Sequence, residues 1–142
     1  MTIGDYDAAV ALWKNTEGMG LSQADSRPNV ERFLQRNPDM SFVAWNAEKL
    51  VGAVMCGHDG RRGFLYHLAV AASARRSGIG KALVDRCLDR LSELGMRKCH
   101  LFVLGTNVEG KRFWKHTGWQ ERLDLVVMSH DVPESNSGGT AG

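Results

Sequence analysis

Apolar positions along the 142-residue chain change spacing several times, and each change marks an element. In residues 5–13, Tyr6, Ala9, Val10 and Trp13 recur at intervals of three and four, the spacing of one helix face. Asp5 and Asp7 favour the N-terminal end of that helix. Gly18, Gly20, Ser22 and Asp25 then mark a loop, and residues 28–36 read as a short helix. Pro28 suits its first turn, where the missing N–H has no helical partner anyway, and Asn37-Pro38-Asp39 ends it. Three β-rich runs follow, 40–45, 50–56 and 63–70, joined by short turns in the manner of antiparallel strands. The period then lengthens again: Ile79, Leu83, Cys87, Leu91 and Leu94 form one apolar stripe with charged residues opposite, and Gly95 is placed to cap it. Residues 98–104 read as a fourth strand, expected to run parallel to the third because a helix intervenes. Asn107 can cap a last helix ending near Gly118, and residues 123–132 supply one more β segment. The order ααβββαβαβ predicts an α/β fold with one mixed sheet, in a single domain over residues 1–132. Residues 133–142, rich in Ser and Gly, are expected to be a disordered tail.

Charge and cysteine usage narrow the function classes. With 18 Lys and Arg against 16 Asp and Glu, the net charge is +2, too even for a dedicated nucleic-acid binder, and no nucleic-acid partner is expected. The longest apolar run, 50–56, is far too short to cross a bilayer, and no signal peptide or membrane partner is expected. Cys56, Cys87 and Cys99 include no C-x-x-C pair and share no ligand-like spacing with a histidine, so no metal is expected. Each cysteine reads as a small buried hydrophobe, in keeping with a cytoplasmic protein.

Chemistry concentrates where the third strand ends. Leu68-Ala69-Val70 leads into Arg75-Arg76-Ser77-Gly78-Ile79-Gly80-Lys81, a glycine-bearing loop opening directly into the amphipathic helix. Glycines let backbone approach a ligand closely, and free N–H groups at a helix start attract phosphate. Arg75, Arg76 and Lys81 add positive charge at the same point. The dinucleotide pattern G-x-G-x-x-G is absent, and Ala82 stands where a P-loop needs a hydroxyl. A plain glycine turn with solvated arginines is the alternative reading of this segment alone.

The segment is matched by a second one. Arg75, Gly78 and Gly80 fit the strand-then-[RQ]-x-x-G-x-[GA] hallmark, and Asn107, Gly110, Phe113, Trp114, Gly118 and Trp119 fall in a second family register. On these residues the chain resembles the GNAT superfamily of acyl-CoA-dependent N-acyltransferases. The stretch from Gly57 to Gly63 is similar to small bacterial YpeA-like acetyltransferases within it. The resemblance implies a mostly antiparallel sheet with a parallel, splayed central pair. It implies acetyl-CoA as co-substrate, with backbone groups of Leu68, Ala69 and Val70 bonding the pantetheine arm like an added strand. Arg75 to Lys81 (Arg76, Ser77, Gly78, Ile79 and Gly80 between them) would hold the pyrophosphate. Asn107 would touch pantetheine, Gly110 would leave room for it, and an amide at Leu68 would polarise the thioester carbonyl.

Three positions depart from the family pattern. Trp114 stands where a tyrosine usually protonates the leaving thiolate, and an indole N–H is no acid near neutral pH. Phe64 stands near the position of the frequent glutamate base, and the family's first strand is reduced to residues 1–3 or missing. With no carboxylate there, proton removal through ordered water and backbone carbonyls is expected, with Tyr66 orienting the reactants. Strand alternation puts Tyr66 on the face of Phe64 and turns His67 away as a packed structural histidine. His58 and Asp59 read as a solvated turn, and Glu17, Asp25, Glu121 and Asp124 as loop acids flanking the acceptor side. The expected function is acetyl transfer to an unidentified primary amine by direct attack in a ternary complex. A catalytically weak acyl-CoA-binding sensor or partner module is the rival, and exposed strand edges favour a homodimer.

Overall fold

The protein is described here by a computed structural model covering residues 1–135. A 3₁₀ turn over Ile3–Asp5 leads into α1 (Tyr6–Lys14), with the Asp5 carboxylate accepting the Thr2 N–H at 2.8 Å. A second 3₁₀ turn, Gln23–Asp25, precedes α2 (Arg27–Arg36), whose first turn holds Pro28 and is capped by Ser26 Oγ. Strands β1 (Phe42–Asn46), β2 (Lys49–His58) and β3 (Gly63–Val70) form an antiparallel meander. Helix α3 (Ile79–Glu93) then crosses over, and β4 (Cys99–Leu101) runs parallel to β3 before α4 (Val108–His116). The sheet order is β1-β2-β3-β4.

Period-two patterning sorts the strands onto two faces. Ala53 and Met55 of β2 pack with Ala9, Leu12 and Trp13 of α1 and Val30 of α2. Val54 and Cys56 turn the other way, onto Leu83, Val84, Cys87 and Leu91 of α3. Trp114 and Trp119 join the α3 side, their rings 5.1 Å apart, because the Trp119 N–H turns back to the Trp114 carbonyl in a Schellman ending of α4.

The α/β class and the mixed sheet match the sequence reading, with three changes. The parallel pair lies at one edge of the four-stranded sheet rather than at its centre. The fourth strand is three residues long instead of spanning 98–104. Residues 123–132 form no strand: Leu123, Val126, Met128 and Val132 are exposed. β-Propensity is largely a measure of fit against a neighbouring strand, and this segment lies on none. Of the tail, residues 136–142 lie outside the described residues.

Close packing at two places yields tests. A Cβ on Gly63 would lie 2.5 Å from Leu91 Cδ1, inside the α3-side core. Gly63→Ala is expected to lower stability by about 1–3 kcal/mol in urea unfolding; a change below about 0.5 kcal/mol would show that Leu91 swings clear freely. The thiols are the second place. Burial pushes Cys99 up to about 12, and the adjacent Cys56 thiol together with burial pushes Cys87 further still. Folded protein at pH 8 should react with iodoacetamide at least ~100-fold more slowly than free cysteine. Rapid single-site labelling would contradict this.

Candidate active site

The parallel pair is held by three rungs, Gly63↔Cys99, Phe64↔His100 and Leu65↔Leu101. Beyond them β3 runs on to Val70 while β4 stops, so Tyr66 to Val70 have no strand on that side. On the other side β2 continues alongside, and the Ala71 N–H closes onto Val51 O at 2.8 Å. The result is the splay the resemblance implied, with its open arm at Leu68, Ala69 and Val70.

Helix α3 starts at the end of that arm. Arg76 and Gly78 both have positive φ, +65° and +83°, which turns successive N–H groups to one side of the loop. Gly78 is the N-cap of α3 and supplies no side-chain cap. The backbone N–H groups of Arg76, Ser77, Gly78, Ile79, Gly80 and Lys81 have no acceptor among the described residues; the first bond of the helix is Ala82 N–H to Gly78 O. Uncapped donors at the positive end of a 15-residue helix favour a negative charge beside them. Arg75 Nε donates to Val70 O at 3.2 Å, tying its guanidinium to the strand end, whereas Lys81 pairs with Asp85 at 2.7 Å on the exposed face. A depression of about 460 Å³ lined by Trp45, Val51, Ser73, Ser77 and Ile79 adjoins the loop.

Helix α4 closes the far wall. The Cβ position of Gly80 is 3.5 Å from both Val70 Cγ2 and Phe113 Cζ, so β3, α3 and α4 converge there. Asn107 Oδ1 accepts the Gly110 N–H at 2.9 Å as the N-cap of α4, and a Cβ on Gly110 would collide with the same amide. The space that Gly110 leaves is thus taken by Asn107. Trp114 packs edge-on between Phe113 and Trp119.

The opposite wall is aromatic. Phe64 stacks with Tyr66 at 6.5 Å and lies 5.8 Å from His100, and Phe33 of α2 meets Tyr66 edge-on. Desolvation raises the Tyr66 phenol above its ordinary range, with the nearby Cys99 adding to it, which keeps it protonated and so unable to accept a proton.

The alternation that sent His67 away from this wall fails. Tyr66 faces Met55 and Ala69 faces Ala53, so three steps of β3 span two of β2, and His67 is in the left-handed region at φ +54°. This is a β-bulge. It leaves the His67 ring on the α1 side, 5.1 Å from Trp13, where its Nε2 meets Asp25 Oδ1 at 2.8 Å. Trp13 Nε1 also donates to His67 O at 2.9 Å. The ring is packed as expected, but on the same side as Tyr66 and paired with a carboxylate 42 residues away. No local spacing signals that pair.

Four further candidates are absorbed by turns and ion pairs. Asp59 accepts the N–H groups of Arg62 and Arg61, which hold it below the usual carboxylate range, and His58 Nδ1 accepts the Gly60 N–H. Glu121 is lowered by Lys115 and Lys111, and Asp124 by Arg122. Among the described residues no cluster of three or more His, Cys, Asp or Glu could hold a metal, and no helix is long and apolar enough to cross a membrane.

Comparison with known proteins matches residues 8–119 to the acetyltransferase (GNAT) family. An acetyltransferase of Pectobacterium atrosepticum is 36% identical over 103 residues, covering 72% of each chain. Among solved structures, the PaiA N-acetyltransferase of Thermoplasma acidophilum, in complex with coenzyme A, superposes with a TM-score of 0.73 at 18% identity, covering 84% of this chain and 86% of that one. An aminoglycoside acetyltransferase from an uncultured soil metagenomic sample, in complex with sisomicin, gives a TM-score of 0.70 at 17% identity over 94% and 93% of the two chains. With its splayed parallel pair and uncapped α3 start, the chain belongs to the GNAT acetyltransferase family.

Proposed function

We propose that the protein transfers an acetyl group from acetyl-CoA to a primary amine by direct attack within a ternary complex. The observation that carries this reading is the run of unpaired N–H groups from Arg76 to Lys81 at the end of the open arm of β3. Such a run fits the pyrophosphate of an acyl-CoA. The free strand edge from Leu68 to Val70 fits a pantetheine arm laid down as an added strand. Bound there, acetyl-CoA supplies an activated acyl carbon.

The chain's own residues do the rest. The Leu68 amide polarises the thioester carbonyl, because negative charge builds on that oxygen during attack. Arg75, held against Val70 O, and Arg76 neutralise phosphate charge, and Asn107, at the start of α4, meets the pantetheine. Tyr66 orients the incoming amine, its raised pKa arguing against proton abstraction. The indole of Trp114 walls the site and leaves the departing thiolate to be protonated from solvent. The coenzyme A complex of the Thermoplasma protein and the sisomicin complex of the metagenomic enzyme support this class of donor and acceptor.

A second reading, an acyl-CoA-binding module with little turnover, rests on Phe64 standing in place of a carboxylate. A panel of a lysine peptide, a free peptide N-terminus, a polyamine and an aminoglycoside, followed by CoA release and product mass, separates the two. Acetylation of at least one amine is expected; acetyl-CoA binding with none acetylated would favour the module.

Two variants test the cradle. Acetyl-CoA is expected to raise the melting temperature of the natural chain by mass action. Gly80→Trp is expected to fold but lose that response, because its side chain would fill the point where β3, α3 and α4 converge. Gly78→Ala, at φ +83°, should cost about 1–2 kcal/mol of stability and weaken binding. An unliganded melting curve that acetyl-CoA does not move would contradict the proposal.

A further inference from the structure

The bulge of β3 exposes a chemistry that the proposed function has not used. His67 and Asp25 form a close pair, Nε2 to Oδ1 at 2.8 Å, with side chains only 17% and 12% exposed. A carboxylate is an acceptor, so the proton of a neutral His67 ring sits on Nε2 and Nδ1 carries the lone pair. Nδ1 has no hydrogen-bond partner among the described residues. Among those residues Arg90 Nε is the one side-chain nitrogen or oxygen that is both buried and unpartnered, so Nδ1 is not sealed from solvent. An imidazole held by a carboxylate on one nitrogen, with a lone pair that solvent reaches on the other, has the arrangement of a general base.

Its placement suits the reaction. His67 directly precedes Leu68, whose amide is assigned to the thioester carbonyl, and its ring lies on the face shared by Tyr66. The pair is held from both sides. Trp13 Nε1 grips His67 O at 2.9 Å, and Tyr6 Oη donates to Asp25 O at 2.6 Å. The titratable and charged groups around it are Asp25 in the 3₁₀ turn, Tyr6 and Asp7 on α1, Arg27 on α2 and Tyr66 on β3. Arg27 lies over the Tyr6 ring and pairs with Asp7.

We propose that His67 Nδ1 removes the proton from the acceptor ammonium, with Asp25 fixing the tautomer and stabilising the imidazolium. This rests on the acetyltransferase reading and names its base, taking the place of the expected relay through water and backbone carbonyls. The ammonium gives one proton to Nδ1, and its nitrogen forms the C–N bond as the thioester C–S bond breaks. Sulfur leaves with the electron pair and is protonated from solvent, while the second nitrogen proton and the one held on Nδ1 both pass to water. Without a base, an amine with a pKa near 10.4 is almost wholly protonated at neutral pH.

The test uses the best-turned-over amine of the panel with the full-length chain. His67→Gln keeps a side-chain N–H for Asp25 but removes the lone pair. It is expected to leave the melting temperature and acetyl-CoA affinity near those of the natural chain, while kcat falls about 100-fold or more. The rising limb of the kcat/KM profile against pH should flatten. Asp25→Asn should lower kcat about 10-fold and keep a rising limb. A His67→Gln enzyme with less than a 10-fold loss, or an unchanged pH profile, overturns the proposal while leaving the acetyltransferase reading intact. Failure of the natural chain to bind acetyl-CoA would instead sink that reading. Should His67→Gln not fold, ¹⁵N NMR of the natural chain with CoA decides: a neutral ring protonated on Nε2 at pH 7.5 is expected, and one protonated on Nδ1 overturns the assignment.

Discussion

One extra residue in β3, opposite the stretch from Ala53 to Met55, is the constraint on which the rest of the site depends. Before the bulge, β3 is an ordinary inner strand, paired on one side with β2 and on the other with β4. After it, β3 stays with β2 but parts from β4, and its far edge is left without a neighbour. A strand edge with free backbone groups is normally a liability that proteins cover or charge. Here it ends at Val70, where the loop into α3 adds a further run of free N–H groups. The left-handed backbone at His67 is costly for a residue with a Cβ. The Trp13 indole on its carbonyl and Asp25 on its ring hold it in place.

The bulge also divides recognition between backbone and side chains. In the proposed function the donor-side groups are almost all amides: the strand edge at Leu68 to Val70 and the loop from Arg76 to Lys81. Their positions follow from the sheet and from the N-terminus of α3, which Leu83, Val84, Cys87 and Leu91 anchor in the core. The acceptor-side groups it assigns are side chains, Tyr66, His67 and Asp25, placed by α1 and the 3₁₀ turn after it. On that assignment, substitutions in the α1–α2 region would change the amine without disturbing the donor's cradle.

The legible parts of the sequence were those with a strong period or a local cap. The stripe from Ile79 to Leu91 gave α3 its length, and the arginine and glycines before it marked the loop proposed to hold phosphate. Crossover through that helix made the β3–β4 pair parallel. What stayed hidden was non-local. Residues 123–132 look like a strand because Leu125-Val126-Val127-Met128 is β-rich, yet a strand needs a partner edge that composition does not supply. Gly110 reads as a gap for a ligand, but the amide of Asn107 fills it. Alternation assigned His67 to the wrong face because a period of two holds only while no residue is inserted. Asp25 could not be matched to His67 without knowing how α1 lies on the sheet.

The central claim is that backbone amides along the splay and the α3 start hold the acyl donor. Amide NMR of the natural chain during titration with acetyl-CoA tests it residue by residue. Saturable shifts are predicted to be largest for the N–H groups of Leu68 to Val70 and Arg76 to Lys81, with α2 and β1 nearly still. Shifts centred instead on the basic face of α4, at Lys111, Arg112 and Lys115, with residues 76–81 unmoved, would contradict the account.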